Sequence, residues 1–153
     1  MTRRLLILSF LLFPLSGPLH AQVSPSDSVE AERKSFIDAL RKRIAGNEEK
    51  PASEVFRNIK VFTRASAGRL LSIMEVGWSR SLGVSCTHCH VPGEWENDTK
   101  PQKQVAREMS AMVGTINGDL LKNIRNLRTS SPVINCTTCH RGQTQPALSL
   151  TGK

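Results

Sequence analysis

All four cysteines of the chain fall into two copies of one motif, Cys86-Thr87-His88-Cys89-His90 and Cys136-Thr137-Thr138-Cys139-His140. Two cysteines three positions apart lie about one helical turn from each other. Their sulfurs can therefore reach two vinyl groups along one edge of a porphyrin. The histidine that follows then comes beneath the ring and offers an imidazole nitrogen to iron. This is the attachment pattern of c-type haem. Two copies predict two covalently bound haem c groups, attached through Cys86, Cys89, Cys136 and Cys139, with His90 and His140 as axial iron ligands. Paired cysteines have other uses. Structural zinc gives the recurring histidine no role, and a thioredoxin-like dithiol needs a βαβ setting that the sequence lacks. Structural disulfides remain compatible with an exported domain.

Each iron has one more axial position. A filled site suits electron transfer, because the iron keeps its ligands in both redox states; an open one suits oxygen, peroxide or nitrite chemistry. The histidines besides His90 and His140 are His20 and His88, and the methionines after the initiator are Met74, Met109 and Met112. His88 sits between two cysteines and is expected to point away from its own haem. All three methionines fall on predicted helices ahead of a motif. The repeating unit is a helix with methionine, a connector and then Cys-x-x-Cys-His, used twice.

The elements that must position these groups read as helices throughout. Val29, Phe36, Ile37, Leu40 and Ile44 give helical spacing over Asp27 to Ala45, with Gly46-Asn47 as the stop. A second short helix starts at Ser53, a candidate N-cap, and brings in Val55, Phe56 and Ile59. A third runs from about Ser66 to Arg80, with Leu70, Leu71, Ile73, Met74 and Trp78 as its stripe. Val91 to Thr99 is a loop ending on Asp98, another candidate N-cap. The clearest helix spans about Lys100 to Asn117, with Val105, Met109, Met112, Val113 and Ile116 on one face. Asp119 to Arg128 continues as helix toward the second motif. No alternating strand stands out, so the fold class is all-α, a compact helical dihaem cytochrome.

The first 21 residues read as a secretory signal: Arg3 and Arg4, the apolar run Leu5 to Leu15, and a small residue at Ala21. Behind it come an N-terminal helical segment and linker (22–52), a dihaem domain (53–145) and a tail (146–153). The expected compartment is the periplasm, with membrane association left open. Aromatic residues make up only 5% of the chain, a thin supply for an all-protein core that a large apolar cofactor would relieve. The net charge of +8 suits nucleic acid, anionic lipid or an acidic protein, and export excludes nucleic acid. Arg33-Lys34 and Arg41-Lys42-Arg43 read as a solvated helix face, or more sharply as a docking patch. Trp78 and Trp95 are expected to pack against haem or core, and Arg107 and Arg141 to pair with propionates or with solvent.

Several stretches resemble the family of the photosynthetic reaction centre cytochrome c subunit and its soluble relatives. They are Asn58 to Phe62, Ala67 to Met74, Leu82 to Cys86, Asp98 to Pro101, Ala106 to Met112, Ile116-Asn117 and Cys136 to Gly142. In that family the methionine of the helix before each motif is the distal ligand. Matched motif to motif, the resemblance implies Met74 for the first haem and Met109 for the second, with Met112 packing beside it. The four-haem subunit corresponds here to one two-haem half, and its additional distal histidine has no counterpart in Asn117 to Arg128. The resemblance implies an electron carrier, not an enzyme, passing single electrons between redox protein partners or a membrane electron-transfer complex. The rivals are a small peroxidase-like haem enzyme with one open site and a fixed haem subunit of a photosynthetic or respiratory complex.

Overall fold

Helix α1 (Pro25–Arg43) carries Asp27 in its first turn and Arg41, Lys42 and Arg43 in its last, charges that complement the helix dipole at both ends. The computed structural model describes residues 25–149; the expected signal segment 1–21 lies outside them. Ile37 of α1 and Ile44, just past its end, are buried against Ala67 and Leu71, with Leu40, Val55 and Phe56 packed on this cluster. Each large aliphatic side chain buried in this way is worth about 1.5–3 kcal/mol. The cluster is small, in keeping with the scarcity of aromatic residues.

Helix α2 (Ala52–Val55) is shorter than the sequence predicts. Phe56 turns to extended backbone, and Asn58 and Phe62 adopt positive φ, so Ile59 lies in a loop. This loop is closed at its base by Ala52 N–H to Ala65 O and Ala67 N–H to Lys50 O, each 2.8 Å. Helix α3 (Ala67–Ser72) is capped by Ser66, whose hydroxyl accepts from Arg69 N–H. It continues as a π-helix over Ile73–Arg80, so the predicted helix has the expected extent but a wider winding over Met74 and Trp78.

Helix α4 (Pro101–Thr115) begins with Pro101 in its first turn and no side-chain cap. Asp98, the expected cap, is engaged elsewhere. The winding widens again over Ile116–Leu120 and tightens over Leu121–Asn123. The helix expected to reach Arg128 stops there, because Ile124 is extended and Asn126 has positive φ. Lys103 and Arg107 of α4 are also buried, on a side of the helix that the predicted apolar face does not include. Helix α5 (Cys136–His140) is the second motif itself. Among the described residues no strand forms, only two isolated bridges, so the fold is all-α as predicted.

Candidate functional site

The first motif is held from several sides. Arg33 of α1, 5% exposed, donates from Nε to Ser79 Oγ at 2.7 Å and from Nη2 to Val84 O at 2.9 Å. This corrects the reading of Arg33 as part of a solvated face. Its position between Val29 and Phe36–Ile37 in the helical register was the signal for its burial. Glu32 accepts from Thr87 Oγ1 at 2.9 Å, inside the motif. His90 Nδ1 lies 2.9 Å from Trp95 O. A carbonyl only accepts, so Nδ1 carries the proton and Nε2 keeps its lone pair, the form an iron ligand needs. Trp95 is itself braced edge-on by Phe36 at 5.2 Å. Burial pulls the His90 pKa down, which also favours the neutral ring.

The second motif is built by local capping. Asn135 and Thr138 form a reciprocal capping box at the start of α5, and Arg141 ends it in the left-handed conformation. Asn117 grips Ile134, donating to its carbonyl and accepting from its N–H at 2.9 and 2.8 Å. His140 Nδ1 lies 3.0 Å from Gln143 O, so the same tautomer is selected at both motifs.

The segment just ahead of the first motif touches the second motif and its end. Ser81 and Thr137 hydroxyls are 2.5 Å apart, and Gly142 N–H donates to Ser81 O at 2.8 Å. Gly83, at φ +66°, passes so near that a Cβ there would fall 2.0 Å from Gly142 O.

Each motif fronts a cavity. The first, of about 350 Å³, is lined by Cys86, Cys89, His90 and Met74 among apolar residues from α1, α3 and the Val55–Ile59 stretch. That volume falls within the roughly 300–1,000 Å³ of ordinary small-molecule sites. The second, of about 220 Å³, is lined by Cys136, His140 and Met109 with Val105, Ala106 and Pro101 of α4. Met112 does not line it, and Cys139 is exposed and does not line it either. Trp78, Leu82 and Cys89 border both cavities. His88 also faces the second cavity; it was expected only to point away from the first. The donor set at each cavity is a motif imidazole with a free Nε2, one thioether and at least one cysteine, in apolar surroundings, with His88 as a second imidazole at the second cavity. It fits a covalently attached haem. Burial pushes the Cys86, Cys89 and Cys136 thiols up.

Sequence reasoning missed the charged cluster beside the first cavity. Asp98 accepts from both terminal nitrogens of Arg107 at 3.0 Å and pairs with Lys103 and Lys60 at 3.0 and 2.9 Å. Lys103 also donates to the carbonyls of Trp95 and Asn97. Arg107 is thus buried and paired with Asp98 rather than solvated. The available clue was the i, i+4 spacing of Lys103 and Arg107 on one face of α4.

The chain is similar to the photosynthetic reaction center cytochrome c subunit of Thermochromatium tepidum, 34% identical over 96 residues, or 62% of this chain and 22% of that protein. It is 31% identical to cytochrome c-554 of Chloroflexus aurantiacus over 54% of this chain and 20% of that one. The corresponding Rubrivivax gelatinosus subunit is 29% identical over 67% of this chain and 27% of that protein. The chain thus spans between about a fifth and a quarter of the length of these relatives. The family model described as the photosynthetic reaction centre cytochrome C subunit matches residues 18–151, nearly the whole sequence, and the protein belongs to that family.

Proposed function

We propose that the protein is an exported electron carrier holding two haem c groups, with His90 and Met74 as ligands at the first and His140 and Met109 at the second. The observation that carries this reading is the sharing of each cavity by a motif histidine and the methionine of the preceding helix. Haem c bound in this way supplies a one-electron couple. The chain's own residues do the rest. Trp95 O and Gln143 O hold the two imidazoles in the ligating tautomer, and the methionines offer a soft, neutral sixth donor that favours the ferrous state. Leu70, Leu71, Trp78 and their neighbours keep water from the first site. If these histidines and methionines fill both axial positions, no coordination site would be left open for an enzymatic reaction, and a carrier would be favoured over a peroxidase-like enzyme. Export rests on the Arg3-Arg4 and Leu5 to Leu15 pattern.

The partners under this reading are redox proteins or a membrane electron-transfer complex. Two of the relatives are reaction-centre subunits, which favours, as a second reading, a fixed haem subunit of such a complex. Among the described residues no helix is long and apolar enough to cross a membrane. Intact mass tests the first reading. Produced with cytochrome c maturation machinery, the protein should gain the mass of two haems, and Cys86→Ala with Cys89→Ala should remove one. Bound zinc, or free thiols at all four cysteines, would overturn it. Retention of residues 1–21 in the mature protein would favour the fixed subunit.

A further inference from the structure

The two cavities differ most in charge. Arg57, Lys60, Lys103 and Arg107 border a third, smaller cavity that also touches Met74 and His90 of the first site. Lys103 and Arg107 are 7% and 8% exposed. The acids paired with these four cations are Asp98, shared by three of them, and Glu96, 3.8 Å from Arg57. Arg43 adds a further cation at the first cavity. The second cavity is lined by no Asp, Glu, Lys or Arg, and its Cys139 is exposed.

We propose that these basic residues make the first haem the higher-potential one, so that an electron entering at the second settles on the first. The inference rests on the two-haem reading above. Oxidising a haem iron adds one positive charge to the site. Surplus fixed cations and a drier surrounding both oppose that added charge, and they act more strongly away from bulk water. Both effects favour the ferrous state at the first site. Every haem c carries the same two propionates, so a difference in fixed charge between the two sites comes from the protein. In the step itself, a one-electron donor is oxidised at the exposed second site. The electron then crosses the shared wall of Trp78, Leu82 and Cys89, leaving the first iron ferrous and the second ferric again.

The test is a spectroelectrochemical titration of the dihaem protein. NMR contacts between haem methyls and the cysteines that carry them identify each haem. The haem on Cys86 and Cys89 should be reduced first. Lys103→Met should shift its midpoint to lower potential and leave the haem on Cys136 and Cys139 unmoved. Arg57→Gln with Lys60→Gln should act in the same direction, and their side chains are 87% and 55% exposed, so this variant folds even where Lys103→Met does not. Earlier reduction of the haem on Cys136 and Cys139 would overturn the proposal. So would substitutions that move both haems alike or neither. A protein that incorporates a single haem overturns the two-haem reading together with this one, whereas two haems in the opposite order overturn this one alone.

Discussion

Met109 and Met112 lie three residues apart on α4, and helical periodicity alone cannot choose between them. Their surroundings differ. Met109 is half-buried and faces His140 across the second cavity, while Met112 is 44% exposed and outside it. Replacing the iron ligand by leucine should abolish the weak methionine–iron charge-transfer absorption of one haem, lower its potential and open it to carbon monoxide. Met109→Leu is expected to do all three. Met112→Leu, nearly volume-conserving on a half-exposed surface, should leave the spectrum intact and change stability by less than about 1.5 kcal/mol. The reverse pattern would show that the match to the family had been placed three residues off. At this scale the sequence was most legible where chemistry fixes spacing, as in the two motifs. It was least legible where a side chain's direction depends on a neighbour distant in the chain. His88 illustrates the second case: its place between two cysteines says it leaves the first site, but only the packing of α4 brings the second cavity to it.

The elements were readable as helices from their apolar spacing, and their ends were not. Extended backbone at Phe56 and Ile124 and positive φ at Asn58 and Asn126 stopped two predicted helices early, conformations that apolar periodicity does not report. The joint between the elements is the backbone crossing of Gly83 and Gly142. Gly83→Ala would drive a methyl group to 2.0 Å from a carbonyl oxygen that cannot swing aside, and would add the strain of a positive φ. A loss of more than about 3 kcal/mol is expected, at the severe end for a single substitution, read as a lowered urea midpoint. Gly46→Ala is the control. Its φ is +81° with nothing within 4 Å of the added carbon, so it should cost only the strain, about 1–2 kcal/mol. Equal losses in the two variants would mean that the crossing is not close in solution. Asp98 ties the Val91–Thr99 loop to α4 and to Lys60. The Arg107 guanidinium beside it, with Asn58, Lys60 and Lys103, holds its carboxyl well below the usual carboxylate range. A depressed carboxylate pKa contributes stability that is fully present above the unfolded value of about 3.9 and is lost as pH falls below it. Asp98 is about one-third exposed, so solvent screens part of this. Asp98→Asn should cost about 2 kcal/mol at neutral pH by leaving Lys103 and Arg107 underpaired. It should also make unfolding less steep in acid below about pH 4, and an unchanged acid profile would remove Asp98 from the account.

For the molecule as a whole, the all-α class and the unit of helix, connector and motif used twice follow from composition and spacing. The thin protein core is likewise legible in the 5% aromatic content. What spacing does not convey is that the N-terminal segment is a working part of the first site. Residues 22–52 read as a helix and linker ahead of the haem domain, yet α1 supplies Ile37 to the core beside Ile44, Arg33 to Val84 and Glu32 to Thr87. The net charge of +8 carries the remaining question, whether the basic surface steers a partner. Burial removes Arg33 from that surface, and internal pairs engage others: Lys34 with Asp38, and Arg41 with Glu75. Lys42 and Arg43 stay exposed at the end of α1. A field made by exposed charges is screened over about 8 Å at physiological salt and over about 3 Å at 1 M. Electron transfer to an acidic redox partner should therefore slow steeply as salt is added, chiefly through the association rate. Charge reversal at Lys42, which lines neither cavity, should lower the low-salt rate and flatten its salt dependence, while electron transfer to a small neutral oxidant stays unchanged. A wild-type rate indifferent to ionic strength would make this face ordinary solvated surface.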